Sequence, residues 1–256
     1  MFPPDAERPY PDYASTYIQY AASYDLRDVP RSPTRGAYFA LNVQHAGYVL
    51  PGDWDYVRVL PEARGYLPLP LGIVFASRVR LGLLEITHSD ITVPANDPGG
   101  WLQRLRDLGP LRTRLRGGGQ NSVRGYDPNT LGDVTMIGTR LDSGGVRQWD
   151  ASAELRVPIT SSFGSVLFVD VGDVSRDKEF RMRYPQTSLG IGLRYHTIIG
   201  PLRLDVGFAP PNLQTIGPDE RARAQYDANG NPIGPFPESK VFGAQGSVHF
   251  TIGEAF

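Results

Sequence analysis

Along most of this chain apolar and polar residues alternate with a period of two, not at helical spacing, as strands do when their two faces meet different surroundings. In "RQWDASAELRVPIT" one face carries Trp149, Ala151, Ala153, Leu155, Val157 and Ile159, and the other carries Gln148, Asp150, Ser152, Glu154 and Arg156. "LGIVFASRVRLGLLEI" sets Leu71, Ile73, Phe75, Val79, Leu81 and Leu83 against Gly72, Ala76, Arg78, Arg80 and Gly82. "SLGIGLRYHT" and "PLRLDVGFA" repeat the alternation, the latter with Arg203, Asp205 and Gly207 on its polar face. With Thr16–Asp25, Ala37–His45, Asp55–Leu67, Ser165–Asp173 and Val241–Phe256, the pattern predicts nine strands. Most have the length of about 9–11 residues that a tilted membrane-spanning strand requires, against about 5–6 in a soluble sheet.

The links divide the same way. Short ones at Pro68–Pro70, Thr160–Gly164 and Thr197–Gly200 are interleaved with long ones at His88–Arg147, Val174–Thr187 and Pro210–Lys240. Short turns at one end and long loops at the other characterise an outer-membrane barrel, whose long loops lie outside the cell. The expected fold is therefore all-β: a segment of an antiparallel transmembrane β-barrel over residues 16–256, after a Pro-rich segment at 1–15. A soluble β-sandwich explains the alternation equally well, with the apolar face as its core. Strand length, loop asymmetry and a polar face of small and charged residues favour a hydrated lumen instead.

Composition removes several function classes. The 26 basic and 27 acidic residues leave a net charge of −1, so no global field draws in nucleic acid or an anionic surface. The absence of cysteine excludes disulfides, thiolate metal sites and cysteine nucleophiles. His45, His88, His196 and His249 stand singly, without metal-ligand spacing. "GGGQNSVRGYDPNTLG", Gly117–Gly132, has no following Lys-Ser or Lys-Thr and no strand-to-helix setting, so it is not a phosphate loop. No acid–base pair or nucleophile stands out, and neither enzyme activity, a cofactor nor a metal is expected. The start "MFPPDAERPYPDY" carries no basic leader or apolar core of an export signal, which is expected to lie elsewhere. At the other end "GSVHFTIGEAF" forms an apolar stripe of Val248, Phe250, Ile252 and Phe256, broken once at Glu254.

"SVRGY", Ser122–Tyr126, in the longest loop, resembles the motif of the outer-membrane assembly and translocation barrels of the BamA/TamA, or bacterial surface antigen, superfamily. "YDLRDVPRSPTRG", "SGGVRQWDASAELRVPI", "FVDVGDV" with its F-x-D-x-G residues Phe168, Asp170 and Gly172, "IIGPLRLDVGFAP" and "VHFTIGEAF" resemble other family segments in the same order. The resemblance implies that the loop folds back into the barrel with the motif Val123, Arg124, Gly125 and Tyr126 at its tip, and that Arg124 pairs with a lumen carboxylate. Asp170 is the first candidate and Glu154 the second. A final strand ending in Phe256 looks like the insertion signal of such barrels. The chain departs from the pattern where aromatic residues are usual before the Gly-Gly, since Leu115 and Arg116 stand there. The preceding basic segment Trp101–Arg116 is expected to be a solvated loop or a short amphipathic helix at lipid headgroups.

Family barrels have sixteen strands, and these nine resemble the last nine. A fragment of a longer chain is expected, ahead of a truncated gene or a barrel-completing oligomer. The implied role is assembly and insertion of outer-membrane proteins, or protein translocation. The expected partners are outer-membrane lipid, unfolded β-barrel clients or exported substrates, and a POTRA region on the N-terminal part of such a longer chain, with the C-terminus in the periplasm. A passive pore or secretion conduit is the alternative, and a soluble β-sandwich binding module the third reading.

Overall fold

Nine long strands form one continuous antiparallel sheet in the computed structural model, which describes residues 12–95, 100–137, 140–197, 200–214, 223–227 and 231–253. In chain order they begin with β1 (Tyr17–Asp25), β2 (Gly36–Ala46), β3 (Trp54–Pro68) and β4 (Val74–Ser89). A helix, α1 (Trp101–Leu108), and two short strands, β5 (Val134–Ile137) and β6 (Arg140–Ser143), lie in the link to β7 (Arg147–Pro158). Then come β8 (Phe163–Ser175), β9 (Gln186–Thr197), β10 (Gly200–Phe208), the short β11 (Arg223–Tyr226), β12 (Pro232–Pro235) and β13 (Lys240–Val241), and finally β14 (Ala244–Ile252). The long strands run in the order β1-β2-β3-β4-β7-β8-β9-β10-β14, each beside its sequence neighbour, while β12-β11-β5-β6 make a separate small sheet from the long links.

The polarity of the sheet decides between a membrane barrel and a soluble sandwich. On β7 the buried residues are Gln148, Asp150, Ser152 and Glu154; on β9 and β10 they include Ser188, Arg194, Arg203 and Asp205. The exposed face carries Leu167 (54%), Ile191 (60%), Leu193 (54%) and Phe250 (69%). Charges inside and large aliphatics outside would be costly in water, and suit a sheet that faces hydrocarbon outward and a filled polar lumen inward. Phe163 and Tyr195 pack at 4.8 Å on the outer surface near the short-turn end, as aromatic residues do at a bilayer boundary.

Several expected boundaries move. Leu71 and Ile73 precede β4 instead of opening it, because Pro68 and Pro70 cannot donate to a ladder and Leu69 N–H instead closes a tight turn on Ile73 O at 2.8 Å. Leu71 takes the left-handed φ of 64° within that turn. The terminal element is a hairpin and not one strand: β13 turns at Phe242 (φ 50°) and Gly243 (φ 82°) into β14. Phe256 lies outside the described residues. The Pro-rich start is tied down from Tyr13 on, whose ring meets Trp54 edge-on at 5.0 Å.

The helix in the segment preceding the glycines does not lie against lipid headgroups. Leu105 and Leu108 are buried with Trp54, Tyr56, Leu84 and Leu115, so the apolar stripe of α1 faces the inner wall of β3 and β4. Among the described residues no ladder joins β1 to β14, and β1 is exposed along its length.

Candidate functional site

The link between β4 and β7 enters the concave side of the sheet and turns there. Gly119 N–H donates to Tyr126 O at 2.9 Å and Tyr126 N–H to Val123 O at 3.2 Å, which makes Val123–Tyr126 the tip. Gly118 (φ 91°) and Gly119 (φ 82°) hold the left-handed conformations that this reversal needs and that side chains disfavour. Val123 and Tyr126 are buried with Leu131, Val174 and Ala209. Two glycines let backbones touch: a Cβ on Gly125 would stand 2.6 Å from that of Ser188, and one on Gly207 would stand 2.5 Å from the Arg124 carbonyl.

Arg124, 1% exposed, meets three strands from this tip. Its Nε and Nη2 donate to the two oxygens of Asp170 on β8 at 2.8 Å each, a two-pronged pairing that a lysine cannot make. Nη1 donates to Glu154 on β7 at 2.6 Å and more weakly to Asp205 on β10 at 3.4 Å, while Nη2 also reaches Ser152 at 3.2 Å. The backbone N–H of Arg124 donates to Asp170 at 3.0 Å, so one carboxylate holds both main chain and side chain. The Phe168 ring lies 3.5 Å from the guanidinium carbon, adding the attraction of its negative face.

Charge balance at this depth comes from neighbouring arginines. Arg156 pairs with Glu154 at 3.0 Å, and Arg194 (2.5 Å) and Arg203 (2.8 Å) both pair with Asp205. Burial acts against the charge on Arg124, but the carboxylates of Asp170, Glu154 and Asp205 outweigh it and hold its pKa above the ordinary arginine value. The guanidinium is therefore a permanent cation. Farther along the link, Asp142 collects Arg104 (2.5 Å), Arg114 (2.9 Å) and Arg176 (3.6 Å), and Arg181 joins Asp133 (3.0 Å) to Asp173 (2.9 Å). The loop is thus fixed at two levels, by acids of the wall below and by its own acid above.

The F-x-D-x-G residues share the inner face of β8 and contribute differently. Phe168 lies beneath the guanidinium and Asp170 grips it. A Cβ on Gly172 would crowd Trp149 O at 2.7 Å and Asp150 Cβ at 2.9 Å, close to where Asp150 receives Arg78 (3.1 Å) and Arg80 (2.7 Å). Residues 5–256 match the Omp85 superfamily domain. The chain belongs to the Omp85 superfamily. Members of this superfamily are outer-membrane assembly and translocation barrels, and the outer membrane is where this Omp85 sheet belongs.

Among solved structures, the Omp85 chain is similar to BamA from Haemophilus ducreyi lacking POTRA domains 1–3, with a TM-score of 0.61 and 18% identity. The likeness covers 93% of this chain and 42% of that one, so the chain spans less than half the length of the relative. At that identity the likeness is one of fold.

Four of the groups at the Omp85 loop tip, Asp205, Ser152, His249 and Asp127, carry no mark of that position in the sequence. Asp205 was visible as an acid on the polar face of its strand, but nothing in the sequence says which strands pass beneath the tip. Ser152 likewise looked like one of many small polar-face residues. His249 Nε2 lies 3.0 Å from Arg124 O, and Asp127 accepts Ser247 Oγ at 3.1 Å and the Ser239 hydroxyl. In the terminal stripe, Val248, Phe250 and Ile252 point outward from β14 and are exposed. Among the described residues no group of acids and histidines is arranged to hold a metal ion.

Proposed function

We propose that this chain is the carboxy-terminal wall of an outer-membrane barrel that assembles and inserts other β-barrel proteins or translocates substrates, with its long links outside the cell and the end of β14 in the periplasm. The observation that carries the reading is Arg124, buried against the inner face of the sheet on Asp170 and Glu154 at the tip of a loop folded back onto that wall. Two further features support it: the outer face is apolar, and Val248, Phe250 and Ile252 supply the stripe of a terminal insertion signal. The role of Arg124, Asp170 and Glu154 in this reading is to lock the loop so that the wall beside β14 keeps its shape while β14 itself yields at the seam.

The test is replacement of the native gene by a full-length Arg124→Ala allele, with the folded amounts of other outer-membrane barrels followed by heat-modifiable mobility. Their loss is the expected result. Normal assembly of those barrels, with only a change in single-channel conductance, overturns the assembly reading in favour of a conduit.

A further inference from the structure

The loop tip is bonded to the terminal strand as well as to the wall. β14 pairs with β10 from Leu202↔Ile252 to Phe208↔Gly246, and among the described residues its other edge meets only the two residues of β13. Two inward side chains of β14 reach past that ladder to the tip. His249, 8% exposed, lies 3.0 Å from the carbonyl of Arg124, and since a carbonyl only accepts, Nε2 carries the proton and donates. Ser247 donates to Asp127 at 3.1 Å, and Ser239, in the link leading to β13, donates to the other oxygen of the same carboxylate. The Arg124 carbonyl is pinned from a second side, because it lies against Gly207 of β10, the direct ladder partner of Ser247.

The geometry points to a latch: His249 and Ser247 tie β14 to the loop tip, so that β14, still laddered to β10, shifts at its free edge only as the tip lets go. This rests on the reading of β14 as the strand at which the barrel opens, and adds what controls the opening. The two sides of the tip then have separate tasks. The guanidinium of Arg124 holds the tip to β7, β8 and β10, which stay in place, while its carbonyl and Asp127 hold the strand that moves. His249 is a positioning residue in this scheme, acting through a main-chain oxygen of the loop.

The full-length protein in lipid vesicles is examined by amide hydrogen exchange over 244–252, with peptides from β7 and β8 as internal references. His249→Phe keeps an aromatic ring and loses the donor, and is expected to speed exchange in β14 about fivefold, the weight of one net hydrogen bond, with β7 and β8 unchanged. His249→Gln, whose amide nitrogen reaches as far as Nε2, is expected to restore the slow exchange. Ser247→Ala, a small change that spares the fold, is expected to shift β14 in the same direction by about twofold. Unchanged β14 exchange in both His249→Phe and Ser247→Ala overturns the latch, as does a glutamine no better than phenylalanine or an equal acceleration of β7 and β8. Client insertion by the wild-type protein is scored in parallel. If it inserts none yet the variants loosen β14, the functional reading fails and the latch stands; if it inserts clients yet β14 is indifferent, the latch alone fails.

Discussion

At the scale of single residues, Arg124 is held by more charge than it carries, and its removal is correspondingly costly. Arg124→Ala leaves Asp170, Glu154 and Asp205 sharing a buried space without their central cation, a loss of about 3–5 kcal/mol to loop docking. It is expected to appear as rapid proteolysis in the span 100–133. Arg124→Lys keeps a charge but not the fork, and a smaller loss of about 1.5–3 kcal/mol is expected in the same assay. Asp205 presents the opposite case, since its 3.4 Å contact with Arg124 understates its importance. Arg194 and Arg203 face each other directly across β9 and β10, and Asp205 is the carboxylate they share. Asp205→Asn is therefore expected to loosen the β9–β10 pair itself, read as faster amide exchange in both strands while the tip stays bound to Asp170. Asp170 and Glu154 could be named as candidate partners of Arg124 because the family resemblance of the tip motif and the F-x-D-x-G segment implied a lumen acid, and alternation placed Glu154 on the polar face. Asp205 and His249 could not, because their part depends on which strands the loop crosses, a property of sheet curvature that alternation does not encode.

At the scale of elements, the long strands could be read from the chain and the structures within the links could not. A strand of nine or more residues shows its alternation several times over; β5, β6, β11 and β12 have four residues each and show it barely once. Two of their pairings are local hairpins, β5 with β6 and β11 with β12, but the pairing that joins the hairpins is nonlocal, β11 lying parallel to β5 with Arg223 opposite Val134. For α1 the sequence showed an amphipathic segment but not what would cover it, and the cover proves to be the inner wall at Tyr56 and Leu84. Leu105 is fully buried there, so Leu105→Ala is expected to cost about 2–5 kcal/mol and expose α1 to protease, with the long strands intact. At Gly207 the space for a side chain is already taken by the Arg124 carbonyl. Gly207→Val is expected to displace the tip and reproduce the protease sensitivity of Arg124→Ala without removing any charge.

For the whole molecule, the arrangement is a globular protein turned inside out, with ion pairs as its core and aliphatic residues as its surface. That inversion makes the two faces respond oppositely to the same substitution. Ile191→Arg, on the outer face near the middle of β9, is expected to weaken folding into lipid bilayers by about 2–4 kcal/mol, seen as loss of the heat-modifiable band. Ile191→Leu is expected to leave that band unchanged. The period-two pattern alone was compatible with either solvent; strand length and loop asymmetry favoured the lumen, and the burial of Asp150, Glu154, Asp170 and Asp205 together agrees with that choice. The anchor also constrains the order in which the polypeptide reaches its final form. Arg124 is separated along the chain by 30 residues from Glu154, 46 from Asp170, 81 from Asp205 and 125 from His249. Each doubling of a closing segment adds about 0.6 kcal/mol of entropy cost, so the nearer contacts are favoured first. The β7–β8 hairpin can therefore capture the arginine before β10 and β14 arrive, and those late strands zip onto a loop already seated, which spares the chain from threading that loop into a finished wall.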